Sequence, residues 1–113
     1  PEAISYERAA ARGGPRASHY DVIILQDAEA WKRLLSRVLP VDKIVEKERT
    51  LWIYEHTRVH LDRVDRLGDF LELETVVEGI SVEEARRESQ RVMETLGVNA
   101  ADLIAVPYRD LVP

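Results

Sequence analysis

Glu72 and Glu74 lie two residues apart in a run, Asp69 to Val77, whose composition reads as a β-strand. Successive strand side chains point to opposite faces, so the two carboxylates share one side while Leu71, Leu73 and Val77 take the other. The run before it repeats the arrangement, with Val59 and Leu61 on one face and Arg58, His60 and Asp62 on the opposite one, and in the run before that Lys47 and Arg49 share a face. If the polar faces point the same way, one surface carries cations and carboxylates together. The chemistry open to such a surface is that of charge, holding ions of either sign. A sheet with one wet face and one core face produces the same alternation, and opposite charges on neighbouring strands also arise from ordinary cross-strand pairing, so periodicity alone gives a polar face and not a function.

The elements that must position these residues follow from local signals. Ile4 to Arg8 is a short strand, Gly13, Gly14 and Pro15 break the chain, and a second strand runs from about Arg16 to Leu25. Asp27 caps a helix that carries Trp31, Leu34, Leu35 and Val38 at helical spacing and stops at Pro40. Three extended runs follow: Ile44 to Tyr54, Thr57 to Val64 with a turn at His56 and Thr57, and Asp69 to Val77, a meander. Ser81 with Glu84 three residues on is a capping box. The helix it opens has an apolar stripe of Val82, Ala85, Val92, Met93 and Leu96, ends at Gly97, and presents Glu83, Glu84 and Glu88 to solvent. The tail holds one short helical turn before Pro107 and then a packed aromatic, Tyr108. Trp31 and Trp52 read as core or core-edge residues, and His60 as the partner of a neighbouring carboxylate rather than a ligand or base.

With 113 residues, 45% of them hydrophobic and 33% charged, the chain reads as one folded domain spanning 1–113. A net charge of −5 disfavours nucleic acid as the partner, yet leaves room for a locally basic pocket that takes a small anion. No apolar run approaches the roughly 20 residues that cross a bilayer, and zero cysteines exclude disulfides and thiolate zinc sites, so a cytoplasmic protein with no membrane partner is expected. Pro1 in place of methionine is compatible with a trimmed start and with a segment of a longer chain alike.

The stretch Thr57 to Val77, TRVHLDRVDRLGDFLELETVV, resembles the signature of CYTH domains, in which an R-x-H-L-D-x-V strand is followed by L-G-x-F-x-E-x-E. Ile4 to Arg8 (ISYER), Pro15 to Val22 (PRASHYDV), Val45 to Arg49 (VEKER) and the Tyr108, Asp110, Leu111 tail are similar to further family segments in the same order. The E-x-E-K strand with which the family opens, and the R-x-R strand after it, are not among these residues. The resemblance therefore covers nearly all of this chain and the C-terminal two-thirds of the family domain. It implies an α+β fold built on an antiparallel β-barrel, the triphosphate tunnel, incomplete here, with two main flanking helices. It also implies the family's chemistry, that of class IV adenylate cyclases and thiamine triphosphatases: a triphosphate such as ATP, thiamine triphosphate or tripolyphosphate, bound with Mg²⁺ or Mn²⁺ and cleaved.

Carried over by position, the resemblance makes Glu72 and Glu74 metal ligands with Asp62 a third group at or near the metal, and makes Arg8, Arg16, Lys47, Arg49 and Arg58 phosphate-binding. The attacking group is not fixed by these residues, so cyclase and hydrolase both stay open. So does a non-catalytic polyphosphate- or nucleotide-binding module, a homodimer formed through strand edges left unpaired.

Overall fold

The computed structural model describes residues 1–8 and 15–113. The break expected at Gly13 and Gly14 lies outside them. The elements run β1 (Glu2–Arg8), β2 (Ser18–Ile24), α1 (Ala28–Val38), β3 (Lys47–Tyr54), β4 (Thr57–Val64), β5 (Gly68–Thr75), α2 (Val82–Thr95), a 3₁₀ turn (Ala100–Asp102) and α3 (Tyr108–Leu111). Packing divides the chain into two units, one holding β1, β2 and α1 and the other β3, β4, β5, α2 and the tail.

In the first unit β1 and β2 pair antiparallel, Ile4 opposite Val22 and Tyr6 opposite Tyr20. Asp27 caps α1 by accepting the Ala30 N–H at 3.0 Å, as its position before an amphipathic run demands. No residue of α1 is buried, and the stripe expected to be core is open, Trp31 included.

In the second unit β3, β4 and β5 form an antiparallel meander with β4 in the centre. The turn between β3 and β4 falls on Glu55 and His56, one residue earlier than expected. Glu55 takes a positive φ of 51°, which lets Thr57 pair with Tyr54 and start the next strand. Gly68 sits at φ 105°, a conformation L side chains rarely adopt, so the glycine between the two signature strands is required by the backbone at the start of β5. β5 stops at Thr75, and the Val76 N–H instead bonds the His56 carbonyl at 2.8 Å. Among the described residues the sheets are two-stranded and three-stranded, and no barrel closes. Of the incomplete barrel expected from the resemblance, the described residues show the antiparallel sheet.

α2 begins with the expected capping box: Glu84 N–H donates to Ser81 Oγ at 3.1 Å and Ser81 N–H to Glu84 Oε2 at 2.8 Å. Its buried face differs from the apolar stripe. Ala85, Glu88, Ser89 and Val92 are buried, one helical face, while Val82 and Leu96 are exposed. Glu88, expected in solvent, is 3% exposed. The reason lies in what α2 packs on: the β4 and β5 ends present hydroxyls and a turn. The Thr57 hydroxyl donates to Glu88 Oε2, His56 Nδ1 lies 2.9 Å and the His56 backbone N–H 3.4 Å from Glu88 Oε1, and Thr57 and Thr75 bond each other at 2.8 Å. Burial alone would raise the Glu88 carboxyl, but hydrogen bonds from Thr57 and His56 outweigh it and leave it below the usual range.

Glu88→Ala is therefore expected to destabilise the fold by about 2 kcal/mol, because it removes the acceptor of the His56 backbone N–H and of the Thr57 hydroxyl, which keeps only its bond to Thr75. Urea unfolding of the variant measures this. The sign with pH follows from the depressed folded value: the contribution is full above the ordinary glutamate range and is lost as pH falls through the folded value.

Candidate functional site

The register of the meander sets the site. Across the three strands the aligned rows on one face are Lys47, Val64 and Gly68; Arg49, Asp62 and Phe70; Leu51, His60 and Glu72; and Ile53, Arg58 and Glu74. Pleating places all of these on one side of the sheet. Lys47, Arg49, Arg58, Asp62, Glu72 and Glu74 are thus brought together as the alternation indicated.

Asp62 is the centre of this face and is fully buried. Arg49 grips it with a fork, Nε to Oδ1 and Nη2 to Oδ2, both 2.7 Å, the geometry in which a guanidinium matches a carboxylate. Tyr108 donates its hydroxyl to Oδ2 at 2.9 Å, and Lys47 Nζ stands 3.6 Å from the same oxygen and 5.0 Å from the Tyr108 ring centre. Phe70, next to Asp62 in register, packs on Tyr108 with ring centres 5.1 Å apart. The Arg49 hydrogen bond is the largest cause holding the Asp62 carboxyl down at about 2; burial opposes it, and Tyr108 and the charges of Arg49 and Lys47 assist. The same bond raises Arg49, and burial followed by the bond to Asp62 raises the Tyr108 phenol.

Around this anchor the charges are looser. Arg49 Nη2 also bonds Glu72 Oε2 at 3.0 Å, and Arg58 Nε is 3.7 Å from Glu74 Oε2. The side chains of Arg58, Glu72 and Glu74 are each about two-fifths open, so water and an incoming ligand both reach them. Such pairs contribute little to stability and are readily exchanged for a stronger counter-ion.

The resemblance implies a place for Asp62 at or near a metal; here both its oxygens accept from Arg49, and Tyr108 and Lys47 share one of them. His60, expected to partner a neighbouring carboxylate, faces Glu72 with Nδ1 4.0 Å from Oε2, a contact of ion-pair range and not a hydrogen bond. The residue is 3% exposed, and neither ring nitrogen has a hydrogen-bond partner among the described residues. Burial and the neighbouring Arg49 hold the ring below its ordinary pKa, against the charges of Glu72, Glu74 and Asp62. A buried polar group left without a partner costs about 1–3 kcal/mol.

Arg8 and Arg16 belong to the first unit. Arg8 donates to Ser18 Oγ and to the Tyr20 hydroxyl, each at 3.1 Å, and its guanidinium lies 4.8 Å from the Tyr6 ring centre. Arg16 is half-buried just before β2. Sequence reasoning found Tyr108 as a packed aromatic and as part of the family-like tail, with no role at the charged face. Its bond to Asp62 spans 46 positions and leaves no local signal.

An antiparallel meander whose charged face is organised around one buried aspartate, with helices beside it, defines an α+β domain. Residues 4–108 match the CYTH domain family, and the chain belongs to it. Among solved structures it is similar to the PH1012 protein from Pyrococcus horikoshii OT3, with a TM-score of 0.81 and 22% identity over 99% of this chain and 68% of that one. A conserved hypothetical protein from Pyrococcus furiosus gives 0.77 and 18%, covering 96% and 66%, and the PH1819 protein from Pyrococcus horikoshii OT3 gives 0.64 and 25%, covering 97% and 64%. These likenesses show the fold, and the chain spans about two thirds of the length of each. No curated protein matches the chain. Among the described residues no helix is long and apolar enough to cross a membrane.

Proposed function

We propose that the charged face of β3, β4 and β5 binds the triphosphate group of a small molecule, ATP, thiamine triphosphate or tripolyphosphate, together with Mg²⁺ or Mn²⁺, and cleaves a phosphoanhydride bond. The observation that carries this reading is the placement of Lys47, Arg49, Arg58, Glu72 and Glu74 on one face, with Arg49 held in position by the buried Asp62. Membership of a family of triphosphate-binding tunnels agrees with it.

Two of the donors present are of the type a divalent cation takes. Glu72 and Glu74 are oxygen ligands on one face, and beside them the His60 nitrogens are buried and unsatisfied. Among the described residues no three acidic or histidine side chains form a group that could hold a metal ion, and Arg49 and Arg58 lie against the two glutamates. Glu72 and Glu74 would hold the ion, which supplies neutralisation of phosphate charge when bound. Arginine donors suit phosphate oxygens through their planar fork. Arg49 and Arg58 accordingly bind and orient the anion, Lys47 adds a point charge beside Asp62, and Arg8 and Arg16 are further phosphate-binding groups.

A second reading is a non-catalytic module that grips polyphosphate or nucleotide without turnover and dimerises. It is favoured by β3 and β5, each hydrogen-bonded on one side only among the described residues, and by the exposed Trp52, Ile53 and Tyr54 of β3. Calorimetric titration with tripolyphosphate, ATP and thiamine triphosphate, with and without Mn²⁺, is expected to show binding that weakens as salt rises. Phosphate or pyrophosphate release distinguishes turnover from simple binding, and light scattering reads the dimer. No binding of any of the three at low salt overturns both readings.

A further inference from the structure

Tyr108 reaches the charged face from the tail and not from the strands. α3 is a single turn, closed where the Asp110 and Val112 N–H groups bond the Pro107 and Tyr108 carbonyls at 2.9 Å each, and Val112 beyond it is buried. The ring packs on Phe70, which stands beside Asp62 in register, and so delivers its hydroxyl to Asp62 Oδ2 at 2.9 Å.

What the hydroxyl does there follows from how full Oδ2 is. A carboxylate oxygen has a pair of lone-pair sites, and Arg49 Nη2 at 2.7 Å and Tyr108 at 2.9 Å take both. Lys47 Nζ, 3.6 Å from the same oxygen, is attracted by its charge but stands too far away for a hydrogen bond. The Tyr108 ring, with its centre 5.0 Å from Nζ, steadies the cation through its face, a contact that uses up no N–H donor. An ammonium has three such donors. None is given to Asp62, and the Lys47 side chain is about a third open to water.

We infer that Tyr108 is a positioning residue for the triphosphate: by filling Asp62 Oδ2 it keeps Lys47 from closing onto the aspartate and leaves the ammonium ready for a phosphate oxygen. The inference rests on the reading of this face as the anion site and adds to it the group that holds Lys47 in reserve. Without the hydroxyl, Lys47 needs to move only about 0.8 Å, from 3.6 Å to ~2.8 Å, to make a direct charge-assisted bond with Oδ2. A lysine so committed must break that bond before it can serve a phosphate.

Tyr108→Phe tests this, because phenylalanine keeps the ring against Phe70 and beside Lys47 and removes only the hydroxyl. Calorimetry of the 113-residue chain with tripolyphosphate is expected to show binding about tenfold weaker in this variant. Lys47→Met should weaken the wild type by about the same factor yet change Tyr108→Phe little, since there the lysine is already withdrawn, so the two losses do not add. A merely structural role for the hydroxyl would leave the Lys47→Met loss equal in both backgrounds. That result, or equal affinity of Tyr108→Phe and wild type, overturns the role of Tyr108 and leaves the anion site standing. NMR of the lysine side-chain nitrogens needs no change at Tyr108: the Lys47 resonance, identified by its loss in Lys47→Met, should shift as tripolyphosphate binds the wild type. A resonance that stays in place at saturation also overturns the inference. Absence of tripolyphosphate binding by the wild type at low salt removes the anion reading and this inference together.

Discussion

Asp62→Asn is expected to lower the unfolding free energy by about 3 kcal/mol, the larger of the two stability losses anticipated here. The substitution keeps the shape and removes the charge that Arg49 grips through two bonds of 2.7 Å and that Lys47 and Tyr108 share. Breaking a buried ion pair by removing one partner costs about 3–5 kcal/mol. The side chains of Arg49 and Lys47 are each about a third open to water, which relieves part of the penalty and places the effect at the low end. For a chain of this size the loss amounts to a drop of roughly 10–15 °C in melting temperature.

The pH profile separates this charge from a mere packing defect. Asp62 titrates at about 2 in the folded chain, against about 3.9 unfolded. A depressed folded value means that the carboxylate stabilises fully above pH ~4 and that the contribution fades as pH falls toward 2, a change of about 2 kcal/mol. The gap between wild type and Asp62→Asn in urea midpoints should accordingly be widest above pH 4 and narrow below it. A gap that stays constant from pH 5 to pH 2 would show that the loss comes from something other than the ionised carboxylate.

What could be read from the sequence is what depends on neighbours close along the chain. The Ser81–Glu84 box needs two residues three apart, and both its hydrogen bonds are present. The shared face of Lys47, Arg49, Asp62, Glu72 and Glu74 needs only alternation and short turns, and a one-residue shift of the β3–β4 turn left it intact because both turn residues lie outside the strands. Failures occur where the partner is remote. α2 buries Glu88 and Ser89 in place of Val82 and Leu96 because Thr57 and His56 wait on the sheet, and the helix's own hydrophobic stripe contains no trace of them. Tyr108 packs on Phe70 as expected but also bonds Asp62, and the Glu72 oxygen that His60 faces at 4.0 Å is hydrogen-bonded by Arg49, neither of which has a local signal. Barrel closure depends on edges meeting other strands, which no local pattern encodes.

Arg49→Ala is expected to weaken triphosphate binding about 100- to 1,000-fold, the largest effect on the ligand. A guanidinium has five N–H donors. Asp62 and Glu72 engage those of Nε and Nη2 through three bonds, so the donors of Nη1 remain for an incoming oxygen and the side chain is already oriented before the ligand arrives. Preorganisation of this kind spares the entropy of ordering a long side chain on binding. Hydrogen bonds to charged groups are worth about 1.5–3 kcal/mol each, and losing two of them at the low end of that range, about 1.5–2 kcal/mol each, gives the stated loss. The alanine variant also bares the Asp62 charge toward the ligand, which adds repulsion. Arg49→Lys keeps the charge and loses the fork, so it should fall between wild type and alanine, about tenfold weaker than wild type. Arg58→Ala, which gives up a partly exposed pair at 3.7 Å, should leave stability nearly unchanged and lower both the affinity and its salt dependence. Calorimetry with tripolyphosphate at two salt concentrations, on variants shown to be folded by circular dichroism, checks the order alanine, lysine, wild type. Equal affinity for all three proteins would remove Arg49, and with it the Asp62-centred face, from the binding of triphosphate.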